Sequence, residues 1–159
     1  MYIRTIAFFG HRIVDDYFEI ERQVEKLVRS FVYDGEYVEF LVGRSGQFDE
    51  LVTSVIRRVK SEMCDEYSSL VLVLPYVTTQ SGSYWKELKR FYDVIEVCEE
   101  SANVHYKAAY SIRNQKMVER AETVVCYVKR EEGGAYDALK YAEKARKEIV
   151  RLDCSRERV

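Results

Sequence analysis

The sequence predicts a doubly wound α/β domain, a mostly parallel sheet with helices on both faces. Three observations predict it. Short runs rich in β-branched and aromatic residues recur along the chain, they show little polar alternation, and longer segments with helical spacing separate them. Unalternated apolar strands belong to a sheet covered on both faces. Strand-helix alternation implies right-handed crossovers between parallel strands.

The elements follow in order. Residues 5–9 read as the first strand, and Asp16 with Glu19 has the spacing of a capping box opening the next helix. Val24, Leu27, Val28 and Phe31 form that helix's apolar stripe. Residues 38–42 read as the second strand, and Val52, Val55, Ile56, Val59 and Met63 as the second helical stripe. The third strand, residues 70–74, stops at Pro75. Trp85, Leu88 and Tyr92 mark a third helix, residues 94–97 a fourth strand, and Tyr106, Tyr110 and Met117 a fourth helix. Residues 123–128 form a fifth strand, Ala138, Leu139 and Ala142 a fifth helix, and residues 149–152 a sixth strand. No Pro/Gly/Ser-rich linker or shift in composition divides the chain, so one domain over residues 1–152 is expected, with a frayed tail at 153–159.

Composition narrows the classes of function. The 159 residues carry 25 Lys plus Arg against 27 Asp plus Glu, a formal net charge of −2, and 47% are apolar. A chain of this size buries roughly 70% of its unfolded surface and needs no metal or disulfide staple. The near-neutral balance argues against a strongly basic field. The clusters Arg57, Arg58, Lys60 and Lys86, Lys89, Arg90 read as solvated helix faces, so nucleic acid is set aside as a partner. No apolar run approaches the roughly 20 residues that span a bilayer. The segment Met1-Tyr2-Ile3-Arg4-Thr5-Ile6 lacks the features of a signal peptide, so the expectation is a cytoplasmic protein with no membrane partner. Cys64, Cys98, Cys126 and Cys154 form no Cys-x-x-Cys pair and read as free, packed thiols. His11 and His105 have no partner at metal-ligand spacing, and neither a Gly-x-Ser-x-Gly elbow nor a phosphate loop ending in Gly-Lys-Ser/Thr is present. No metal or other cofactor is expected, and nucleophilic hydrolase and nucleoside-triphosphatase readings drop out.

In an open parallel sheet, ligands bind beyond the carboxyl ends of the strands, where strand-to-helix loops converge. Five of the seven glycines fall on such loops. After the first strand, Gly10 permits a sharp turn or the approach of a ligand, and His11 and Arg12 are placed to contact phosphate or base. A tight turn with two solvated side chains is the competing account. After the second strand, Gly43-Arg44-Ser45-Gly46-Gln47-Phe48-Asp49 sets two glycines three apart at a helix start, where backbone N–H groups and the helix dipole attract an anion. Ser45 reads as a helix cap or phosphate ligand, Asp49 as a first-turn acid and Phe48 as core.

After the fifth strand, Glu131-Glu132-Gly133-Gly134-Ala135-Tyr136-Asp137 suits a phosphate-facing turn, provided its two carboxylates point away. Arg113, beside Asn114, shares an apolar helical stripe with Tyr106, Tyr110 and Met117. Pattern alone favours its snorkelling past the core edge over its reaching into the crevice. Gly35 and Gly82 read as ordinary turns. Among thirteen tyrosines, Tyr76, Tyr84, Tyr110 and Tyr136 fall where a phenol can stack on a base, although packing is their commoner role.

Together, Gly10-His11-Arg12, Gly43-x-x-Gly46-x-Phe48-Asp49, Arg113-Asn114-x-x-Met117-Val118 and Gly133-Gly134 with Tyr141-Ala142 resemble the SLOG superfamily, and within it the YpsA/YspA-like branch, over residues 5–152. The resemblance implies a Rossmann-like fold that binds a nucleotide or nucleotide-derived small molecule as a sensor or processing domain. Gly43, Arg44, Ser45, Gly46, Asp49, Gly133, Gly134 and Tyr136 would hold it, with Gly10, His11, Arg12, Arg113 and Asn114 lining the same crevice. Related domains commonly form a homodimer. The superfamily includes the Lonely Guy (LOG) phosphoribohydrolases, which act on nucleoside 5'-monophosphates, and DprA, which binds single-stranded DNA. Arg113 looks like the counterpart of an Arg in the LOG enzymes. Their Pro-Gly-Gly-x-Gly-Thr-x-x-Glu signature is not matched, because the proline, third glycine and threonine are missing and Leu139 stands where the catalytic Glu should be. The remaining catalytic candidates are Arg113, Asp49 and Asp137. DprA-like strand binding and an oligomeric scaffold with a degenerate site complete the alternatives.

Overall fold

The six apolar runs are the six strands of one sheet, and the sheet is parallel throughout. The computed structural model describes residues 2–77 and 82–152. The proposed frayed tail and Cys154 lie outside the described residues. The chain runs β1 (Ile3–Gly10), α1 (Tyr17–Tyr33), β2 (Tyr37–Val42), α2 (Gln47–Glu62), β3 (Ser68–Leu74), α3 (Gly82–Phe91), β4 (Val94–Val97), α4 (Glu99–Ala102), α5 (Tyr106–Arg120), β5 (Thr123–Tyr127), α6 (Gly134–Lys144) and β6 (Glu148–Arg151). Gly82 opens α3 and is not a turn residue. Pro75 follows the last residue of β3, as its missing N–H requires, and its carbonyl accepts from the Ser101 hydroxyl of α4 at 2.5 Å.

Strand alternation feeds two cores. Ile6, Phe8, Phe40, Val42, Leu70 and Leu72 meet the stripes of α1 and α2 and Leu88 of α3 on one face. Their neighbours Ala7, Phe9, Leu41, Val71 and Val73 meet Met117 and Val118 of α5 and Ala138 and Ala142 of α6 on the other. The strand order is β4-β3-β2-β1-β5-β6. Winding proceeds outward from β1 to β4, then returns across the second face to place β5 on the far side of β1. The direction therefore reverses between β1 and β5, and the crevice of a doubly wound sheet opens above their carboxyl ends.

Two loops cross at this switch point. Phe48, in the first turn of α2, is fully buried with its ring over Gly10, so that a Cβ on residue 10 would stand 2.2 Å from Phe48 Cγ. Gly46 meets the backbone of Arg12 in the same way, with 2.5 Å between an added Cβ and the Arg12 Cα. The packing of one loop on another by itself requires both glycines. The Arg12 carbonyl accepts from the Gln47 N–H at 2.8 Å, and the Gln47 side chain accepts from the Val14 N–H at 2.7 Å. Tyr127, stacked on Phe48, accepts from the Asp15 N–H at 2.9 Å. Asp16 consequently heads α1 in the left-handed region (φ 53°), not the extended conformation from which an N-cap side chain reaches the helix amides. The capping box does not form, and Glu19 binds Arg22 instead.

His11 completes the clamp. It is buried, and its Nε2 accepts from the Lys129 N–H at 2.9 Å and the Arg130 N–H at 3.2 Å. Its Nε2 is thus committed to two backbone amides and is not free to meet a phosphate. Burial, seconded by the Arg130 charge, holds its pKa below the ordinary histidine value.

Replacing Gly10 by Ala forces the Phe48 ring to move and should lower stability by about 1–3 kcal/mol, read as a lower midpoint of urea unfolding. His11 adds a pH dependence. Its folded pKa lies below its unfolded value, so the unfolded chain takes the proton first. The stabilisation is complete above the unfolded value of 6.5 and is lost as pH falls below it. His11→Gln keeps an acceptor that does not titrate. Its stability deficit relative to the wild type should narrow between neutral and mildly acidic pH, and a constant deficit would count against the clamp.

Candidate functional site

A pocket of about 560 Å³ occupies the crevice. Gly10, His11 and Arg12 contribute from the end of β1, Gly43, Ser45 and Asp49 from the β2–α2 junction, Arg113 and Asn114 from α5, and Gly133 and Gly134 from the start of α6. Positions scattered over more than a hundred residues thereby share one wall because three strand-to-helix loops and the middle of α5 meet at the same sheet edge. Arg44 and Gly46 do not join them. They line an adjoining groove along α2. Tyr136 lies under Lys140, whose Nζ stands 5.8 Å from its ring, and Asp137 lines a second groove between α5 and α6.

Arg113 is the most unusual group present. It does not snorkel: only 4% of it is exposed. The stripe that carries it lies over the sheet edge where Gly43 has no side chain, and a Cβ there would stand 3.0 Å from its guanidinium. Arg113 Nη1 donates to the Val73 carbonyl at 2.6 Å and Nε to the Asn114 side chain at 2.9 Å. Tyr110 lies against it, with the guanidinium carbon 5.4 Å from the ring centre. Among the described residues no carboxylate comes within the 4.0 Å of an ion pair. Burial lowers its pKa, opposed chiefly by the more distant Asp49 charge. An arginine nonetheless stays protonated in this setting.

Asp49 has a structural task. Its Oδ2 accepts from the Ser45 N–H at 2.8 Å, so the carboxylate caps the loop before α2. Ser45 itself is not the N-cap, a position held by Gly46. Burial raises the Asp49 pKa against the pull of the Ser45 N–H and the Arg113 charge. In the same lining, the first-turn N–H groups of α6 have no intrahelical partners. Gly133 adopts φ 93° with open space around it, and at Gly134 the nearest atom to an added Cβ is Asn114 Nδ2 at 3.8 Å. The lining thus offers a buried cation and backbone donors at a helix start, a combination suited to phosphate. Leu139 is buried, so α6 presents no carboxylate at that position.

Sequence reasoning missed Arg130, which lines the pocket beside Glu132 and pairs with it at 4.0 Å, and the apolar floor residues Met117 and Ala135. A count of cations on the carboxyl-edge loops would have found Arg130. Met117 stood in the sequence as part of a helical stripe and of the Arg113-Asn114-x-x-Met117-Val118 motif, neither of which marked it as a lining residue.

No family model matches the sequence, and no curated protein is significantly similar to it. Among solved structures, the chain is similar to DNA processing protein A (DprA) from Streptococcus pneumoniae, with a TM-score of 0.66 and 11% identity over 94% of this chain and 50% of that one. It is also similar to DNA processing protein A from Helicobacter pylori, described for its single-stranded DNA binding mode, with a TM-score of 0.64 and 12% identity over 93% of this chain and 64% of that one. The chain spans between half and two thirds of the length of these proteins. The likeness does not single out the YpsA/YspA-like branch. It does overturn the argument that set nucleic acid aside, because a protein of the same fold is described by its binding of single-stranded DNA. Overall charge is not sufficient ground for that exclusion, since a local arrangement of cations, not their sum, can attract a strand. The chain shares a DprA-like, Rossmann-like α/β fold with these proteins.

Proposed function

We propose that the protein binds single-stranded nucleic acid and seats one nucleotide of the strand in the carboxyl-edge pocket, with its phosphate between Arg113 and the start of α6. The observation that carries this reading is the buried Arg113, a cation without an ion-paired carboxylate among the described residues, on the wall of an open cavity. Burying a charge without a partner is costly, and an anion placed against it recovers much of that cost. A strand suits the cavity because it opens two ways. It shares Ser45 and Asp49 with the groove along α2, and Tyr110, Asn114 and Gly134 with the groove between α5 and α6. The likeness in fold to a single-stranded DNA-binding protein supports the same reading.

A free nucleotide or nucleotide-derived ligand is the second reading, favoured by a volume within the usual range of small-molecule sites. Fluorescence anisotropy with labelled thymidine oligomers, competed by thymidine monophosphate, separates the two. Strand binding predicts oligomer affinity that falls steeply with salt and weak competition by the monomer. Saturable binding of the monomer without oligomer binding supports the second reading, and binding of neither rejects both.

Arg113→Ala removes a charged donor and should weaken binding about 10- to 100-fold. Because Arg113 also holds the Val73 carbonyl, Gly134→Asp provides a variant away from the core. It places an anion at the phosphate position and should weaken binding comparably with an unchanged thermal midpoint.

A further inference from the structure

We infer that a strand seated in the pocket continues along the groove beside α2, where arginine-aromatic pairs provide stacking platforms for the next bases. The inference rests on the strand-binding reading of the pocket. The groove has a volume of about 820 Å³ and meets the pocket at Ser45 and Asp49.

Its wall is built from two segments far apart in sequence. Arg44, just beyond β2, lies over Tyr84 with 5.6 Å from guanidinium carbon to ring centre, and donates to the Tyr84 hydroxyl at 3.0 Å. Arg57 of α2 lies over Phe91 at 4.6 Å. Neither arginine is in an ion pair among the described residues, and Phe91 is 41% exposed. Planar cations held on aromatic faces, and free of carboxylates, combine charge for a phosphate with a surface for a base.

Thr53 and Tyr92 line the same wall, the Thr53 hydroxyl enclosed beside the Tyr92 side chain. Past Phe91 the wall continues into a smaller hollow that includes Lys89 and Arg90.

The carboxylates are few or committed. Asp49 holds the Ser45 N–H, Asp93 holds the Leu70 N–H and faces Lys60, and Glu50 remains on the groove wall. Arg58 is occupied by Glu21 and Glu25 and takes no part. The groove between α5 and α6 is the poorer route. Lys140 there is paired with Glu143, Asp137 lines the wall and the Tyr141 hydroxyl is tied to Glu119, which leaves Lys107 and Lys144 as its cations, and no arginine among the described residues lines it.

The test uses labelled thymidine oligomers of increasing length, with Phe91→Ala, Arg57→Glu and Lys89→Glu, all solvent-facing substitutions outside the pocket. Wild-type affinity should rise with length until the groove is filled. Each variant should lose roughly tenfold or more for long oligomers, keep wild-type affinity for the shortest oligomer that binds, and keep its thermal midpoint. A photoreactive thiothymidine oligomer should also crosslink to the wild-type segment containing Phe91 and Tyr92, a readout that needs no variant.

Long oligomers held equally by wild type and variants, together with crosslinking elsewhere, would overturn the groove while leaving the pocket intact if Gly134→Asp still loses binding. Failure of every oligomer to bind the wild-type protein would overturn the groove together with the reading on which it rests.

Discussion

The ring of Phe48 occupies the space that a side chain on residue 10 would fill, and the carboxyl edge is arranged around that contact. It brings the first turn of α2 down onto the last residue of β1. The ring also stacks on Tyr127 of β5, 5.9 Å away and 13° from parallel, so one aromatic group joins three elements at the switch point. The Tyr127 hydroxyl holds the Asp15 N–H, and His11 holds the amides of Lys129 and Arg130. The loops after β1, β2 and β5 are therefore fixed to one another before any ligand arrives. A phosphate site made of backbone donors needs such support, because donors held in place lose little freedom on binding.

Arg113 stands in tension with this economy of packing. A leucine at that place on the α5 stripe would extend the apolar layer formed by Met117 and Val118. A guanidinium there must instead be accommodated by the absence of a side chain at Gly43, by the Val73 carbonyl and by Asn114. Two neutral acceptors satisfy two of its donor groups without neutralising its charge. In a purely structural site a carboxylate would be the natural neighbour. The nearest charge of that kind, on Asp49, is itself engaged by Ser45 and raised in pKa by burial.

The legible part of the fold was the part governed by period. Runs such as Val38 to Val42 and stripes such as Val52, Val55, Ile56 and Val59 identify their own elements, because burial on two faces or on one face leaves a direct trace in sequence. The four-residue α4 left none, being too short to show a stripe and held by Ser101 to Pro75 across a gap in sequence. Gly10, Gly43 and Gly46 were recognisable as special positions, but their reasons were not, since each reason is a partner from elsewhere in the chain: Phe48, Arg113 and Arg12. For the same cause the stripe around Arg113 could not distinguish a charge that escapes the core from one lodged beneath a pocket.

Charge was the property that sequence arithmetic obscured most. A formal net charge of −2 describes a sum, whereas the fold sorts its terms. Glu19 is taken by Arg22, Glu25 by Arg29 and Arg58, and Glu39 and Glu96 by Arg120. Arg57 from one cluster and Lys89 and Arg90 from another, which look like separate solvated faces, come together where α2 passes the end of α3. Nearby, Arg44 and Arg57 lie on Tyr84 and Phe91 and not on carboxylates. Charges paired at salt-bridge distance nearly cancel beyond a Debye length of about 8 Å, so an approaching polyanion responds chiefly to those left over. A chain close to neutral as a whole can therefore present a basic, aromatic track beside a buried cation, an arrangement that becomes visible only when the sheet brings its loops to one edge.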